Sequence, residues 1–531
     1  MADSPAVSTA SVARVNCSTP AAVDAGRSAG QARTTGSRWT PAAAAPPVSR
    51  ASCRCASCSA KTSTREPAAA SRNTSDARPV SRIALVMPAS DRQSFFGNQV
   101  PIGLLHAAAL LRARSLDVRF HDFRVEGPVY ERYADEFADA DLIVVATNDF
   151  DKAQCYNLRL DGPSAAVAAL KTLTAAPVYC VGSHGTVAPE PTLARIGCDG
   201  IIRGEHDVAI DGFVGQFLNG EVAERVWPAD EPRMASPLEA ETLPAPAYDL
   251  APMHAYHAEG VDRKTGALGV FKSGLVLGNR GCPYSCSYCY LLFGQRMRVR
   301  PPHRIVDEVE VQYRQYGIEH FFFLDYTFTL NPRWVSSLCH ELIERDLPVS
   351  WLCQTRSDRL DQDMLALMFR AGCRGIWLGV ETPEQTTRDE VDKNLSDAAV
   401  ARSLEMVRQA GMHPLVFLLV GFPSETVASL EWINRWIEQQ DTFYEIFTMI
   451  PRVGTALFDE SRFRPLFEQD GWNYARALPD QRVGARTGSA DRLSLSPIAL
   501  DEMDWFVDYH DQHPKRVKNV VARAMAARGA P

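Results

Sequence analysis

From Arg82 onward the chain alternates short apolar runs with longer amphipathic stretches, in two separate series. In the first, Ile83 to Met87, Val118 to Phe120, Leu142 to Ala146, Val178 to Val181 and Ile201 to Ile202 are strand-sized, and Ile102 to Arg114 has the spacing of a helix. Apolar runs separated by amphipathic helices predict a parallel sheet covered by helices on both faces. Ligands of such a sheet bind beyond the carboxyl ends of its strands, which singles out the loops Pro88 to Gln99, Thr147 to Tyr156 and Gly182 to Ala188. The second series begins at Phe271, with strands near Leu275 and at Phe321 to Leu324, Trp351 to Cys353, Ile376 to Val380, Leu415 to Val420 and Ile446 to Ile450. Between the first two, Val306, Val309, Tyr313 and Tyr316 keep the three-four spacing of a buried helix face, and Gly317 is placed to end it.

Composition divides the rest of the chain. Residues 1–80 are rich in Ala, Ser, Thr, Pro and Arg without periodicity, so they are expected to be disordered, and no apolar core near Met1 marks a secretory signal. Cys53, Cys55 and Cys58 fall there in a C-x-C-x2-C, with no flanking strand or helix to fix ligands, and are read as no metal site. The expected domains are 81–222, a Pro-, Glu- and Ala-rich linker over 223–270, a second domain over 271–455 and a helical cap over 456–531. The basic end of that cap, Lys515 to Arg528, is read as a solvated helix face.

A net charge of −8 over 531 residues argues against a broad nucleic-acid surface, and no apolar run is long enough to span a membrane. The 13 cysteines are an odd number and lie mostly singly, so they form no disulfide framework. A soluble protein of the reduced cytoplasm is expected.

The one dense cysteine motif is Gly281-Cys-Pro-Tyr-Ser-Cys-Ser-Tyr-Cys289, a C-x3-C-x2-C loop straight after the strand-like run Ser273 to Gly278. A structural zinc wants four closed ligands, whereas a [4Fe-4S] cluster held by Cys282, Cys286 and Cys289 keeps one iron open to a substrate. The plainer alternative is an incomplete zinc knuckle or ordinary buried thiols. With Tyr288 before its third cysteine, the loop resembles the signature of the radical S-adenosylmethionine (SAM) enzymes. The resemblance implies a partial (β/α)6 TIM-type barrel whose open iron is chelated by SAM, with chemistry at the strand ends. It also implies SAM contacts from Tyr288, from Asp325 at the second strand end, from Arg356 at the third, from Glu381 at the fourth and from Gly421 at the fifth. Each of these charges could instead belong to a structural ion pair.

The first domain resembles the Rossmann-like, flavodoxin-like cobalamin-binding domain that precedes the barrel in many radical SAM enzymes. The matching pieces are Val100-Pro-Ile-Gly-Leu-Leu105, Gly182-Ser-His-Gly-Thr186 and Ile202-Arg-Gly-Glu205, and they imply cobalamin contacts at Gly182, His184 and Thr186. For His184 the plain alternative is a capped turn. The D-x-H-x-x-G motif that ligates cobalt from below is absent, since the first loop reads Ala89-Ser-Asp-Arg-Gln-Ser-Phe-Phe-Gly97. Together the resemblances imply a cobalamin-dependent radical SAM methyltransferase acting on an unactivated carbon, or phosphorus, of a small natural-product precursor. They imply an electron donor such as flavodoxin or ferredoxin, and neither nucleic acid nor membrane as partner. A cobalamin-linked rearrangement or cyclisation stands as the alternative within the superfamily, and a non-catalytic cobalamin or iron-sulfur sensor as the alternative outside enzymes.

Overall fold

The first apolar series folds into a six-stranded sheet: β1 (Arg82–Met87), β2 (Asp117–Asp122), β3 (Leu142–Ala146), β4 (Val178–Val181), β5 (Gly200–Ile202) and β6 (Val226–Trp227). The computed structural model describes residues 81–89, 98–478 and 494–527; residues 1–80, including Cys53, Cys55 and Cys58, lie outside the described residues, as does 90–97 of the first strand-end loop. All strands pair in parallel, in the order β2-β1-β3-β4-β5-β6. Every residue of β3 and β4 is buried, as continuous apolar runs in a sheet covered on both faces require. Because β1 lies between β2 and β3, the chain changes direction across the sheet there, the switch point beyond whose carboxyl ends sheets of this kind bind ligands.

The second series builds β7 (His257–Val261), β8 (Leu268–Val276), the short pair β9 (Asn279–Arg280) and β10 (Arg298–Val299), then β11 (His320–Phe323), β12 (Ser350–Thr355), β13 (Cys373–Glu381), β14 (His413–Val420) and β15 (Phe443–Thr448). They form a curled half-barrel sheet in the order β15-β14-β13-β12-β11-β8-β7, parallel except for β7, which runs antiparallel to β8. In the helix Pro302–Tyr316 the buried face is Ile305, Val306, Glu308, Val309 and Gln312, whereas Tyr313 and Tyr316 are only half-buried. Glu308 and Gln312 can be buried because Arg300 pairs with the first and the Tyr248 hydroxyl accepts from the second at 2.9 Å. Gly317 ends the helix in the left-handed conformation expected of it.

Two expectations change. Segment 223–270 is no mere linker, because it supplies β6 to the first sheet and β7 to the second. It also ties itself to the first domain through Ala247 N to Leu105 O and the Tyr256 hydroxyl to Asp122 at 3.0 Å. Strands of two to five residues in Pro-rich sequence leave too little pattern to read. The basic C-terminal stretch is not a solvated face. Arg516 is buried against Glu445 of β15 at 2.8 Å, and Lys515 Nζ donates to the main-chain oxygens of Ile437, Glu438 and Gln440 at the end of the helix Val427–Gln439.

Candidate active site

The cysteine loop is pinned by the main chain around it. The Asp325 carboxylate, at the tip of β11, accepts from Gly278 N at 3.1 Å and Asn279 N at 2.6 Å, fixing the chain as it leaves β8. Gly281 has φ +92°, and a Cβ there would lie 2.2 Å from Arg296 O, so only glycine fits. Cys282 N donates to Gly294 O, Ser287 N to Val391 O and Cys289 N to Cys286 O.

Each thiol faces a different neighbour: Cys282 Sγ lies 3.6 Å from Thr327 Oγ1, Cys286 Sγ 3.9 Å from Arg356 Nη1 and Cys289 Sγ 3.8 Å from Gln154 Nε2. Burial raises the Cys286 pKa, against the opposing pull of Lys393 and Arg356. Cys289 is pushed well above the usual thiol range, first by burial and then by the charges of Cys155, Cys286 and Cys282 in that order. Among the described residues, no three His, Cys, Asp or Glu side chains converge on one metal-ion position. A zinc ion needs such convergence, whereas each thiolate of a [4Fe-4S] cluster binds a separate iron. Lys393 and Arg356 supply positive charge beside the Cys286 thiol, the charge that would favour its anionic form.

Around the loop the strand ends bring three of the sequence-predicted residues together. Arg356 lies over the Tyr284 ring at 3.8 Å and donates to Lys393 O at 2.8 Å. Glu381 has φ +68°, a strained conformation for a residue with a side chain, and pairs with Lys393 Nζ at 2.9 Å. Tyr288 places its ring 6.0 Å from Lys393 Nζ, and burial and then the Glu381 charge push its hydroxyl well above the usual tyrosine range. At Gly421, φ is +99°, and its N–H donates to Glu425 at 2.6 Å. Both amide atoms of buried Asn279 and the Ser357 hydroxyl make no hydrogen bond, so the site carries polar groups suited to a polar ligand. Asp325 differs from expectation: its carboxylate is turned to the β8 tip, where it already accepts two main-chain N–H groups.

Sequence reasoning missed Lys393, which lies outside any strand and is marked by no periodicity. Burial works against its charge, but Glu381 and then Cys286 hold its pKa above the usual lysine value. Lys393→Met is expected to weaken SAM binding about tenfold while iron content is retained, because Glu381 would lose the partner that orients it. Equilibrium dialysis with labelled SAM measures this, and unaltered binding would remove Lys393 from the site.

The first sheet presents its carboxyl ends to this loop. Gln154, in the turn after β3, reaches Cys289 and accepts from Gln354 at 3.4 Å, while the Tyr156 hydroxyl donates to Val453 O at 2.7 Å. Deeper in, Arg280 and Arg298 are buried with Glu205 and Asp207 from the end of β5, in direct ion pairs. Burial opposes the Asp207 charge, but Arg280 wins and holds its pKa at about 2.

The residues expected at cobalamin are bound inward. A Cβ on Gly182 would meet Thr147 Oγ1 at 2.2 Å, and Thr186 Oγ1 bonds Gly182 O and Gly204 N. His184 is fully buried with Nδ1 on Thr147 Oγ1 and Nε2 on Asn157 O, and burial lowers its pKa to about 4. A glycine-rich match therefore serves the packing of the β4 turn, and His184 has no nitrogen left for a metal. Asp149 accepts from Gly103 N at 3.2 Å, which places a carboxyl at the first helix N-terminus, where a nucleotide phosphate would otherwise bind.

Asp149, Asp325 and Glu425 are strand-end carboxyls that accept main-chain N–H groups, yet burial raises them to about 7, about 7 and about 8. A folded-state pKa above the unfolded one means that the native state holds the proton more tightly. Stability from these groups is thus full at low pH and is lost as pH rises from about 4 to about 8. The thermal midpoint is expected to fall between about pH 6 and pH 8.5, and to fall less in Glu425→Gln.

Residues 276–437 match the radical SAM superfamily. The match spans the cysteine loop and the strand ends from β11 to β14. The chain is similar to an uncharacterized methyltransferase of Pyrococcus horikoshii, 26% identical over 396 residues that cover 72% of this chain and 83% of that protein. It is also similar to the anaerobic magnesium-protoporphyrin IX monomethyl ester cyclase of Rubrivivax gelatinosus, 34% identical over 155 residues, or 29% of this chain and 28% of the cyclase. In fold it is similar to the radical S-adenosylmethionine methyltransferase TsrM from Kitasatospora setae, solved with cobalamin and a [4Fe-4S] cluster bound. The TM-score is 0.60 at 17% identity, covering 82% of this chain and 90% of that one.

Proposed function

We propose that this radical SAM enzyme is a cobalamin-dependent methyltransferase that acts on an unactivated carbon, or phosphorus, of a small-molecule substrate. Cys282, Cys286 and Cys289 hold the [4Fe-4S] cluster; Arg356, Glu381, Tyr288 and Gly421, joined by Lys393, form the SAM subsite. When bound, cluster and SAM supply a carbon-centred radical, and cobalamin supplies the methyl group. The observation that carries the reading is the seating of the β3 turn on the cluster loop, Gln154 on Cys289, which puts any ligand of the first sheet beside the cluster. The methyltransferase relative and the likeness to TsrM support it. Neither His184, whose two ring nitrogens are engaged, nor the first loop, which has no histidine, would supply a nitrogen ligand to cobalamin.

The chain's own part is placement and exclusion of water. Two buried aromatic pairs, Phe150 with Phe293 and Tyr156 with Tyr290, join the β3 turn to the cluster loop. Arg356 and Lys393 offset negative charge at the thiolates. A small reductant protein, flavodoxin or ferredoxin, completes the cycle in the cytoplasm; among the described residues no helix is long and apolar enough to cross a membrane.

Anaerobic reconstitution with hydroxocobalamin tests the proposal: about four irons and one cobalt per chain are expected, with both 5'-deoxyadenosine and S-adenosylhomocysteine formed on turnover. Iron without cobalt would overturn the cobalamin half. The similarity to the cyclase favours a second reading, rearrangement or cyclisation, for which 5'-deoxyadenosine would appear without S-adenosylhomocysteine.

A further inference from the structure

We propose that Arg452 binds an anionic group of the substrate, a carboxylate or a phosphate, at the junction of the two sheets. This deepens the methyltransferase reading and rests on it, because it gives the small molecule a chemical class. Arg452 lies in the turn after β15 and is 5% exposed. Its Nε and Nη1 reach only the main-chain oxygens of Tyr156 and Ile450, each at 3.4 Å, the long limit of a hydrogen bond. Its Nη2 is buried and has no hydrogen-bond partner.

The other buried arginines show what is missing. Arg280 and Arg298 pair with Glu205, Arg300 with Glu308, Arg356 with Asp358, Arg388 with Asp397 and Arg516 with Glu445. Among the described residues, Arg452 is the buried arginine that no carboxylate joins. A guanidinium cannot relieve its burial by losing a proton, so burial without a counter-ion is costly. An anion brought by a ligand would supply the missing partner.

The place of Arg452 says which ligand. The Tyr156 hydroxyl donates to Val453 O at 2.7 Å, and a Cβ on Gly454 would meet Val187 Cγ1 at 2.8 Å and the Tyr290 ring at 3.3 Å. The turn that carries Arg452 is thus wedged between the β3 turn, Val187 after β4, and Tyr290, which directly follows Cys289. Substrates of such barrels bind at the carboxyl ends of the strands, and Arg452 stands just beyond the last of them. On the proposed reading SAM has Arg356, which leaves Arg452 for the molecule that receives the methyl group. A guanidinium grips a carboxylate or phosphate through two parallel hydrogen bonds, which would fix the orientation of the substrate toward the cluster.

The test uses the full chain, reconstituted anaerobically with iron, sulfide and hydroxocobalamin, as wild type, Arg452→Met and Arg452→Lys. The probes are inorganic phosphate, acetate and neutral acetamide, at constant ionic strength set with chloride. Thermal midpoints, cobalt per chain and SAM binding by dialysis are recorded. Phosphate and acetate are expected to raise the wild-type midpoint by a few degrees, because they bind the folded state, while acetamide leaves it unchanged. Arg452→Met is expected to lose that rise, and in chloride alone to melt no lower than the wild type, since it removes an uncompensated charge. Arg452→Lys keeps the charge without the planar fork and is expected to retain part of the rise. A rise that persists in Arg452→Met, or none in the wild type, overturns the anion site. Loss of cobalt or of SAM binding in Arg452→Met would give the anion to cobalamin or to SAM, and overturns the substrate assignment. Wild-type protein without cobalt would instead overturn the cobalamin reading, with the phosphate response still deciding Arg452.

Discussion

Cys286→Ala is expected to lose the cluster and, with it, SAM cleavage. On the proposed reading each of the three thiolates would hold a separate iron, so removal of one would leave only two anchors. Iron should drop from about four to below one per chain, and 5'-deoxyadenosine formation by more than about a hundredfold. The fold should survive, because the loop is set by main-chain bonds that do not involve the Cys286 side chain, namely Cys282 N to Gly294 O and Ser287 N to Val391 O. Iron analysis, product chromatography and circular dichroism on one preparation decide the matter, and SAM cleavage at the wild-type rate would end the cluster assignment.

Arg280→Ala is expected to give the largest loss of stability. Arg280 is 1% exposed and is paired directly with both Glu205 and Asp207, while Phe150 and Phe293 place their rings 5.2 and 5.4 Å from its guanidinium. Removing it strands two carboxylates in a medium that cannot solvate them, and Arg298 reaches only Glu205. Breaking a buried pair in this way costs about 3–5 kcal/mol, a large share of the roughly 5–15 kcal/mol by which proteins are stable. Arg280 also lies two residues before Cys282, so weaker iron retention should accompany the lower denaturation midpoint. Removing charge on both sides, as in Arg280→Met with Asp207→Leu, is expected to recover part of the loss, because it leaves fewer unpaired ions. An unchanged midpoint in Arg280→Ala would mean that water reaches the two carboxylates.

Local features were readable before folding. The strand runs Val178 to Val181 and Leu142 to Ala146 fall on β4 and β3 residue for residue, because a strand covered on both faces needs a continuous apolar run. Gly317 ends its helix for a reason carried by one residue, the absence of a Cβ. The last barrel strand was harder, since Phe443–Thr448 begins three residues before the apolar run at Ile446 and includes the buried Glu445. A charge in a strand interior breaks the pattern, and Arg516 together with the Lys518 main-chain N–H makes it tolerable.

At the site the same division holds. The sequence by itself determined the two sheets, the helix between β10 and β11, and the cysteine triad, since apolar periodicity and ligand spacing act over a few neighbouring residues. The tertiary structure decided what each polar group does. It joined Arg280 to Glu205 across 75 residues and Lys393 to Glu381, turned Asp325 to the β8 tip and His184 into its own domain, and laid the turn of Gln154 on Cys289. Hydrophobic pattern reports only whether a side chain leaves water. Which partner compensates a charge or hydrogen-bonding group once it is there depends on distances between strand ends far apart in the chain, and those are fixed only when the sheets have packed.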